Sequence, residues 1–320
     1  MRAPTASRPD CVVLPRNLIW SGTAPLIVFV EVEARHLSLP FWSQTMDRGH
    51  RVAGMAPLDA LEADTMDLGL AGAIHHMSRC GSTLVARQLA TLPGVIALSE
   101  PAIFEHLLDR EGIDPGLQTR RLRRLLALHR DALRPIGSTL VIKWSMLLGL
   151  YAADIRTAFP DTPTIFLHRD PEDVVASLTA SLPPGLENSG PRHLRGPYRP
   201  DDDDLGSLSP LDLSVRIIAS SCLAVARTGH ARTVAYRALP SAGWETIAPF
   251  FGFALTAADA ARMRVAADTD AKDIHGRRPY RAGPRTNHPD VELSTNSSAA
   301  ALLRQALAQV MLELAPLGVA

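Results

Sequence analysis

The chain has 320 residues, of which 46% are hydrophobic and 21% are charged, an ordinary composition for a soluble globular protein with a large core. Lys and Arg together number 33, as do Asp and Glu, so the formal net charge is zero. We therefore expect no nucleic-acid partner and no attraction to a membrane surface, and any anion must be bound by a local site.

The N-terminal residues carry no sign of export. MRAPTASRPD lacks the apolar core of a signal peptide, and the longest apolar run, residues 24–30, is far shorter than the roughly 20 residues of a membrane span. We predict a cytoplasmic protein. Cys11, Cys80 and Cys222 are far apart and form no C-x-x-C pair, so we interpret them as reduced thiols and expect no metal site.

Residues 1–65 are predicted to be an N-terminal extension. Within it, residues 11–20 and 26–34 are apolar enough for an edge hairpin, and residues 41–63 favour an interacting helix followed by a linker.

Residues 66–320 are predicted to form one α/β domain. Short β-rich runs alternate with longer helical patterns, which is typical of a central parallel sheet flanked by helices. Strands are predicted at 72–77, 94–98, 139–143, 163–168 and 232–236. Ligands of such sheets gather at the carboxyl ends of the strands.

A lid loop and two helices are predicted in three other segments of this domain. Residues 184–208 lack an apolar period and are predicted to be a lid loop. Residues 119–134 have Leu122, Leu125, Leu126 and Leu133 on one helix face, which should pack, and an exposed Arg-rich face. Residues 298–318 are predicted to be an amphipathic helix that packs on the sheet.

The loop in 75-HHMSRCGSTLVARQLA-90 has the features of an anion cradle. A strand that ends there and turns at once into a helix places backbone amides and the hydroxyls of Ser82 and Thr83 around one point. Gly81 lets the backbone approach the anion, and Arg79 adds a permanently charged fork. The loop therefore predicts a site for a phosphate or a sulfate.

The spacing of this loop disagrees with three other kinds of site and leaves a fourth interpretation open. No Lys follows Gly81, so the Walker pattern is absent. Cys80 and Arg87 have six residues between them, one too many for a cysteine phosphatase loop, and G-x-S-x-G is missing. A plain strand-to-helix turn capped by Ser82 or Thr83 is the structural alternative.

A second strand, basic loop and helix follow in 165-IFLHRDPEDVVASL-178. Arg169 stands at the strand end and Ser177 comes about two turns into the helix. Together they predict a second phosphate site, and the alternative is an ion pair of Arg169 with Asp173.

With both motifs in this order, the sequence resembles the sulfotransferase superfamily, in particular bacterial members with an S-R-C-G-S-T-L loop. The resemblance implies a three-layer P-loop NTPase-like α/β fold and 3′-phosphoadenosine 5′-phosphosulfate (PAPS) as co-substrate, with no metal. It places the 5′-phosphosulfate on Arg79, Cys80, Gly81, Ser82 and Thr83, and the 3′-phosphate on Arg169 and Ser177. Arg277 and Arg278, in 275-HGRRPYR-281, are expected to close over the 3′-phosphate, unless they belong to a merely solvated loop.

The resemblance also implies catalytic roles. Lys143 matches the Lys of the family's K-T-H segment, and Ser145 stands where that segment has His. Lys143 and Arg79 are therefore expected at the leaving oxygen and the sulfonate. Glu100 is the predicted general base, as in branches that use a Glu after the first helix; a carboxylate satisfied by a helix N-terminus is the alternative. Leu84 replaces the Trp that stacks on adenine, which leaves Tyr236 or Trp244 for that contact.

The predicted reaction moves a sulfuryl group to a hydroxyl or amine of a small-molecule or peptide acceptor, with residues 1–65 and the lid on the acceptor side. Two other function classes stay open. An ATP-dependent kinase or triphosphatase on the same fold would need a Walker Lys and a magnesium-binding Asp. A non-catalytic nucleotide-binding module is favoured by Ser145. The acceptor and the oligomeric state cannot be read from the sequence.

Overall fold

The computed structural model describes residues 1–39, 41–49, 51–183, 186, 190–194, 196–201, 206–269 and 293–318. Arg277 and Arg278 lie outside these residues, as does part of the predicted lid loop. No helix among the described residues is both long and apolar enough to cross a membrane.

The N-terminal residues form a three-stranded antiparallel sheet in the order β1-β2-β3. Its strands are β1 Cys11–Ser21, β2 Ala24–Glu33 and β3 Arg51–Pro57. The predicted hairpin is present, whereas the interpretation of residues 41–63 as a helix and a linker was wrong in part. Only Trp42–Asp47 (α1) is α-helical there. β3 shows no apolar alternation because it is an edge strand with only Ala56 buried.

The main sheet has five parallel strands in the order β5-β6-β4-β7-β8. The strands are β4 Leu70–His76, β5 Val95–Ser99, β6 Thr139–Lys143, β7 Thr164–His168 and β8 Arg232–Ala235. All five predicted strands are present. Alternate residues of the central strand β4 enter two different hydrophobic cores, Ile74 on one face and Ala73 on the other.

Helices cover both faces of the main sheet. They are α2 Ser82–Leu89, α3 Ile103–Leu108, α4 Pro115–Leu133, α5 Ala152–Ala158, α6 Pro171–Ala180, α7 Pro210–Ala226, α8 Ala257–Ala267 and α9 Leu293–Glu313. Short helical turns lie at Ala34–Ser38, Leu58–Ala60, Leu147–Tyr151, Pro191–His193, Gly196–Tyr198, Tyr236–Ala238, Gly243–Ile247 and Ala248–Phe250. One core contains α2, α6, α7, α8 and α9, and the other contains α3, α4 and α5. The predicted three-layer α/β architecture is confirmed.

Local signals start three of these helices. Asp114, Asp170 and Ser209 each accept a hydrogen bond from a backbone amide of the first turn, and Pro follows each of them. Pro suits the first helical position because its fixed φ is helical and it has no amide to leave unpaired.

The N-terminal sheet shares the second core. Leu14, Ile27 and Phe29 are no more than 1% exposed and lie in the same hydrophobic cluster as Phe104 of α3 and Leu122 of α4. The extension is therefore packed against the main domain over its apolar face.

Candidate functional site

The carboxyl ends of all five parallel strands meet at one edge of the main sheet, and a candidate site residue ends or follows each strand. Residues 78–83 follow β4, Glu100 follows β5, Lys143 ends β6, Arg169 comes after β7, and Tyr236 follows β8. Because β4 lies between β6 and β7, the chain moves to opposite sides of the sheet at this point. Open α/β sheets bind ligands at such a position.

Unfavourable backbone angles are concentrated at this edge. Among the described residues, the non-glycine residues with positive φ are Ser78 (66°), Arg79 (52°) and Glu100 (56°). Gly81 has a φ of 83°, a conformation that favours glycine. A Cβ there would lie 2.6 Å from Cδ1 of Leu239, so a larger residue would also displace the Leu239 side chain. Such strain persists mainly at functional sites.

The N-terminus of α2 meets a buried ammonium group. No side chain caps its first turn, so the alternative of a turn capped by Ser82 or Thr83 is not found. Instead Thr83 Oγ1 accepts a hydrogen bond of 3.2 Å from Nζ of Lys143. Lys143 is 1% exposed. A cation and the positive end of a helix dipole thus coincide where little water screens them, which favours an anion.

Glu100 lies between Lys143 and His76. Its Oε1 is 2.6 Å from Nζ of Lys143 and 3.5 Å from Nε2 of His76. Its backbone amide donates to the carbonyl of Lys143 at 2.8 Å, which continues the pairing of β5 with β6 by one residue. The carboxylate is partly accessible, with 30% of the side chain exposed.

The environment keeps Glu100 ionised. Burial acts to raise its pKa, but the ammonium of Lys143 and the imidazole of His76 outweigh burial and hold the pKa far below its ordinary value. A carboxylate stabilised in this way is a weak base for as long as Lys143 stays beside it. The predicted role of Glu100 as a general base therefore requires Lys143 to change partners.

Arg79 joins the two basic motifs. Its Nε donates to Oγ of Ser177 at 2.8 Å, and its Nη2 donates to the carbonyls of Ser177 and Ser181 at 3.0 and 3.1 Å. The structure thus brings Arg79 and Ser177 together, although the sequence assigned them to different phosphates. Arg79 lies against the C-terminal turn of α6, whereas Lys143 lies at the start of α2.

Arg169 forms the ion pair with Asp173 that was the alternative to a phosphate site. The two charged groups are 3.1 Å apart, and the guanidinium of Arg169 lies 4.4 Å from the ring centroid of Tyr236. Its Nη1 donates to the carbonyl of Arg79 at 3.3 Å, so it is held beside the loop by three neighbours. Tyr236 also borders Gly81, which places one of the two predicted adenine neighbours at the site. The other, Trp244, lies under Arg264, 5.2 Å from the ring centroid to the guanidinium carbon.

The thiol of Cys80 is fully buried, and burial raises its pKa to about 11. It is therefore a thiol at neutral pH and a poor nucleophile. This agrees with the exclusion of a cysteine phosphatase loop, and Cys80 can contribute to anion binding only through its backbone.

Glu105 was missed by the sequence analysis. It is half-buried on α3, and burial raises its pKa to about 7, opposed by a hydrogen bond with Ser145 and assisted by the negative charge of Glu100. Ser145 is 8% exposed. The sequence signal for Glu105 is its position shortly after Glu100, at the start of a helix. Many exposed helix carboxylates share this position, so it does not identify Glu105 as a site residue.

Part of the predicted lid contacts the end of α3. Asp109 Oδ2 lies 3.3 Å from Nη2 of Arg192 and 3.6 Å from Nε2 of His193, and its Oδ1 accepts a hydrogen bond of 2.9 Å from Tyr151. His193 is 5% exposed. The described lid residues are thus anchored near Glu105.

Within the described ranges, no group of three or more His, Cys, Asp or Glu side chains has the arrangement of a metal site. The sequence matches no protein-family model and no curated protein.

Three solved structures with similarity to the chain are sulfotransferases. Sulfotransferase STF9 from Mycobacterium avium is 15% identical with a TM-score of 0.42, and the match covers 60% of this chain and 66% of that one. The sulfotransferase domain of the Synechococcus PCC 7002 olefin synthase is 17% identical with a TM-score of 0.41, over 73% of this chain and 94% of that one. The sulfotransferase domain from the curacin biosynthetic pathway is 13% identical with a TM-score of 0.41, over 73% and 95%. The likeness is distant.

Proposed function

We propose that the protein is a PAPS-dependent sulfotransferase. The observation that carries this proposal is the buried ammonium of Lys143, which lies at the uncapped N-terminus of α2 and 2.6 Å from Glu100. A cation for a leaving anion and a carboxylate for a proton are thereby adjacent. Both motifs that resemble the superfamily border this point.

The residues present fit a phosphosulfate. Gly81 and the first turn of α2 would hold the 5′-phosphate, because consecutive amides and the helix dipole favour an anion there. Arg169 would hold the 3′-phosphate after exchanging Asp173 for it, and Ser177 would donate a hydroxyl. The donor supplies the activated sulfuryl group.

In the proposed transfer, the acceptor hydroxyl or amine forms a bond to sulfur while the bond from sulfur to the phosphate oxygen breaks. Negative charge builds on the departing oxygen, and Lys143 stabilises it by turning from Glu100 to that oxygen. The turn also raises the basicity of Glu100, which takes the acceptor's proton. Glu105 is the alternative base, since its pKa of about 7 suits a base at neutral pH.

Replacing the cation tests its role. Lys143→Ala should lower kcat by on the order of a hundredfold, because a positioned charge of this kind contributes a few kcal/mol to the transition state. Steady-state kinetics with an acceptor found by screening gives the measurement. A variant with normal turnover would make Lys143 a structural residue.

Calorimetric titration with 3′-phosphoadenosine 5′-phosphate, with ADP as the comparison, tests the donor site directly. We expect micromolar binding that needs the 3′-phosphate and is weakened roughly tenfold in Arg169→Ala. Arg8→Ala is the control, since Arg8 is paired with Asp10 on the exposed N-terminal segment. Equal binding of ADP, or none of either ligand, would contradict the proposal.

A further inference from the structure

His76 is an imidazole at the end of β4 that the transfer scheme above does not use. It is 7% exposed. Its Nδ1 accepts a hydrogen bond of 3.1 Å from the backbone amide of Ser78, and its Nε2 lies 3.5 Å from Oε1 of Glu100. The ring thus connects the strained loop after β4 to the carboxylate after β5.

The hydrogen bond from Ser78 decides the tautomer of His76. A nitrogen that accepts from an amide carries no proton, so the proton of the neutral ring is on Nε2, the atom that faces Glu100. A doubly protonated ring would set an N–H against the amide of Ser78. The geometry therefore assigns a neutral imidazole with its N–H on Nε2, the ring atom nearest the carboxylate of Glu100, at a distance of 3.5 Å that is longer than an ordinary hydrogen bond.

We infer that His76 is a positioning residue, whose Nε2–H holds the carboxylate of Glu100 in place when Lys143 turns to the leaving group. This inference rests on the proposed function. Lys143 is at present the nearer partner of Glu100, at 2.6 Å against 3.5 Å. Without His76, a carboxylate released by Lys143 would lose the neighbour that orients it toward the acceptor.

Groups on three elements set the charge of Glu100. Lys143 on β6 and His76 on β4 lower the pKa of Glu100, and Glu105 on α3 places a second carboxyl near it. The Nε2–H of His76, 3.5 Å from the carboxylate, favours the ionised form of Glu100. Its removal should therefore raise the pKa of Glu100, and Lys143 and Glu105 are unchanged in that comparison.

The chain allows a matched pair of variants. His76→Gln places an amide nitrogen near the position of Nε2 and keeps a donor for Glu100. His76→Asn places its amide near the position of Nδ1, so it keeps an acceptor for Ser78 but offers Glu100 nothing. His75→Asn is the control, because His75 is as deeply buried on the same strand, at 4% exposed, and faces the other side of the sheet.

The first experiment is nitrogen-15 NMR of the full chain with labelled histidines, with His76 assigned by its loss in His76→Gln. We expect the Nε2–H tautomer at neutral pH and a shift of the Nε2 resonance in Glu100→Gln. An Nδ1–H tautomer, or an Nε2 resonance that is unchanged in Glu100→Gln, would overturn the inference.

The second experiment measures the pKa of Glu100 from its carboxyl carbon resonance. His76→Asn should raise this pKa by about one pH unit, which corresponds to about 1.4 kcal/mol, while His76→Gln and His75→Asn should leave it nearly unchanged. Equal shifts in the Asn and Gln variants would reduce His76 to a packing residue. Binding of 3′-phosphoadenosine 5′-phosphate should persist in the His76 and His75 variants. If the wild type does not bind this ligand, the proposed function is contradicted. The two NMR experiments would still show whether His76 and Glu100 interact.

Discussion

Lys143 and Glu100 form an ion pair, and the contribution of each residue to the stability of the fold depends on the presence of the other. Lys143 is completely buried as a side chain, so its ammonium has lost its water and relies on Glu100 and Thr83. Removing one member of a buried ion pair leaves the other uncompensated, whereas removing both is often close to neutral.

Lys143→Met should accordingly lower the free energy of unfolding by about 2–3 kcal/mol, somewhat less than for a fully buried pair because Glu100 is 30% exposed. The double variant Lys143→Met/Glu100→Gln should recover most of this loss. Urea unfolding of the two single variants and the double variant measures the coupling. Strictly additive losses would show that the pair contributes no interaction energy.

Glu105 predicts a pH dependence of stability. Its pKa is raised from 4.5 to about 7 in the folded protein, so the folded state holds this proton more tightly than the unfolded state. The stabilisation of the folded state by this proton is complete below about pH 4.5 and is lost as pH rises to about 7. Glu105→Gln should therefore match the wild type near pH 4.5 and exceed its stability at pH 8, by at most a few kcal/mol. Thermal unfolding across this pH range tests it, with the exposed Glu111→Gln as the control that should show no such gain.

At the level of elements, α4 ties the N-terminal sheet to the main domain. The four Leu residues predicted to pack, 122, 125, 126 and 133, are all fully buried. The predicted Arg face is exposed only in part, because Arg121 is 2% exposed. It bonds both oxygens of Asp59, at 2.9 and 2.5 Å, and the carbonyl of Thr23 in the turn between β1 and β2 at 2.9 Å.

Asp59→Ala should lower the free energy of unfolding by about 2–3 kcal/mol, because the buried guanidinium of Arg121 loses its carboxylate and keeps the carbonyl of Thr23 and the ring of Trp20 as neighbours. The cost is below that of a fully buried pair because Asp59 is 39% exposed. Asp131→Ala, which breaks the pair with Arg130 on the same helix, is the control. It should cost less than about 1 kcal/mol, because the side chain of Arg130 is 13% exposed, against 3% for Arg121, and water can replace its lost partner. Denaturant titrations of both variants give the comparison. Equal costs would mean that Arg121 is solvated when Asp59 is removed.

At the level of the whole molecule, the shared second core couples residues 1–65 to the rest of the chain. Apolar side chains of β1, β2, α3 and α4 belong to one cluster that also contains Trp144. Each part would expose this surface if the other were absent, so we expect the two to unfold together.

Phe29→Ala should lower the stability of the entire fold by about 3–5 kcal/mol, because Phe29 is 1% exposed in this cluster. Far-ultraviolet circular dichroism and tryptophan fluorescence should report one shared transition in the variant as in the wild type. A separate early transition for the N-terminal strands would instead make residues 1–65 an independently stable unit.

Repeating local patterns were sufficient to predict the main sheet, its flanking helices and the loop at residues 78–83. Strand periodicity, Pro and Asp at helix starts, and glycine in a tight turn all act within a few residues, so they can be read along the chain. Lys143 and Glu100 were instead predicted from the resemblance to the sulfotransferase superfamily, and the structure places each at or just after the end of a strand, at the edge of the candidate site.

Contacts between residues far apart along the chain could not be read in this way. The edge strand β3, the Arg79–Ser177 bond, the burial of Arg121 and the proximity of His76 to Glu100 all depend on how strands and helices are arranged in space. The pKa of a carboxyl group depends on burial and on the charges of its neighbours. The pKa of Glu100 is therefore lowered and that of Glu105 is raised, although the two side chains are the same. Residue types and their spacing thus determine which groups are available, and tertiary packing determines which of them face each other and in what state of ionisation.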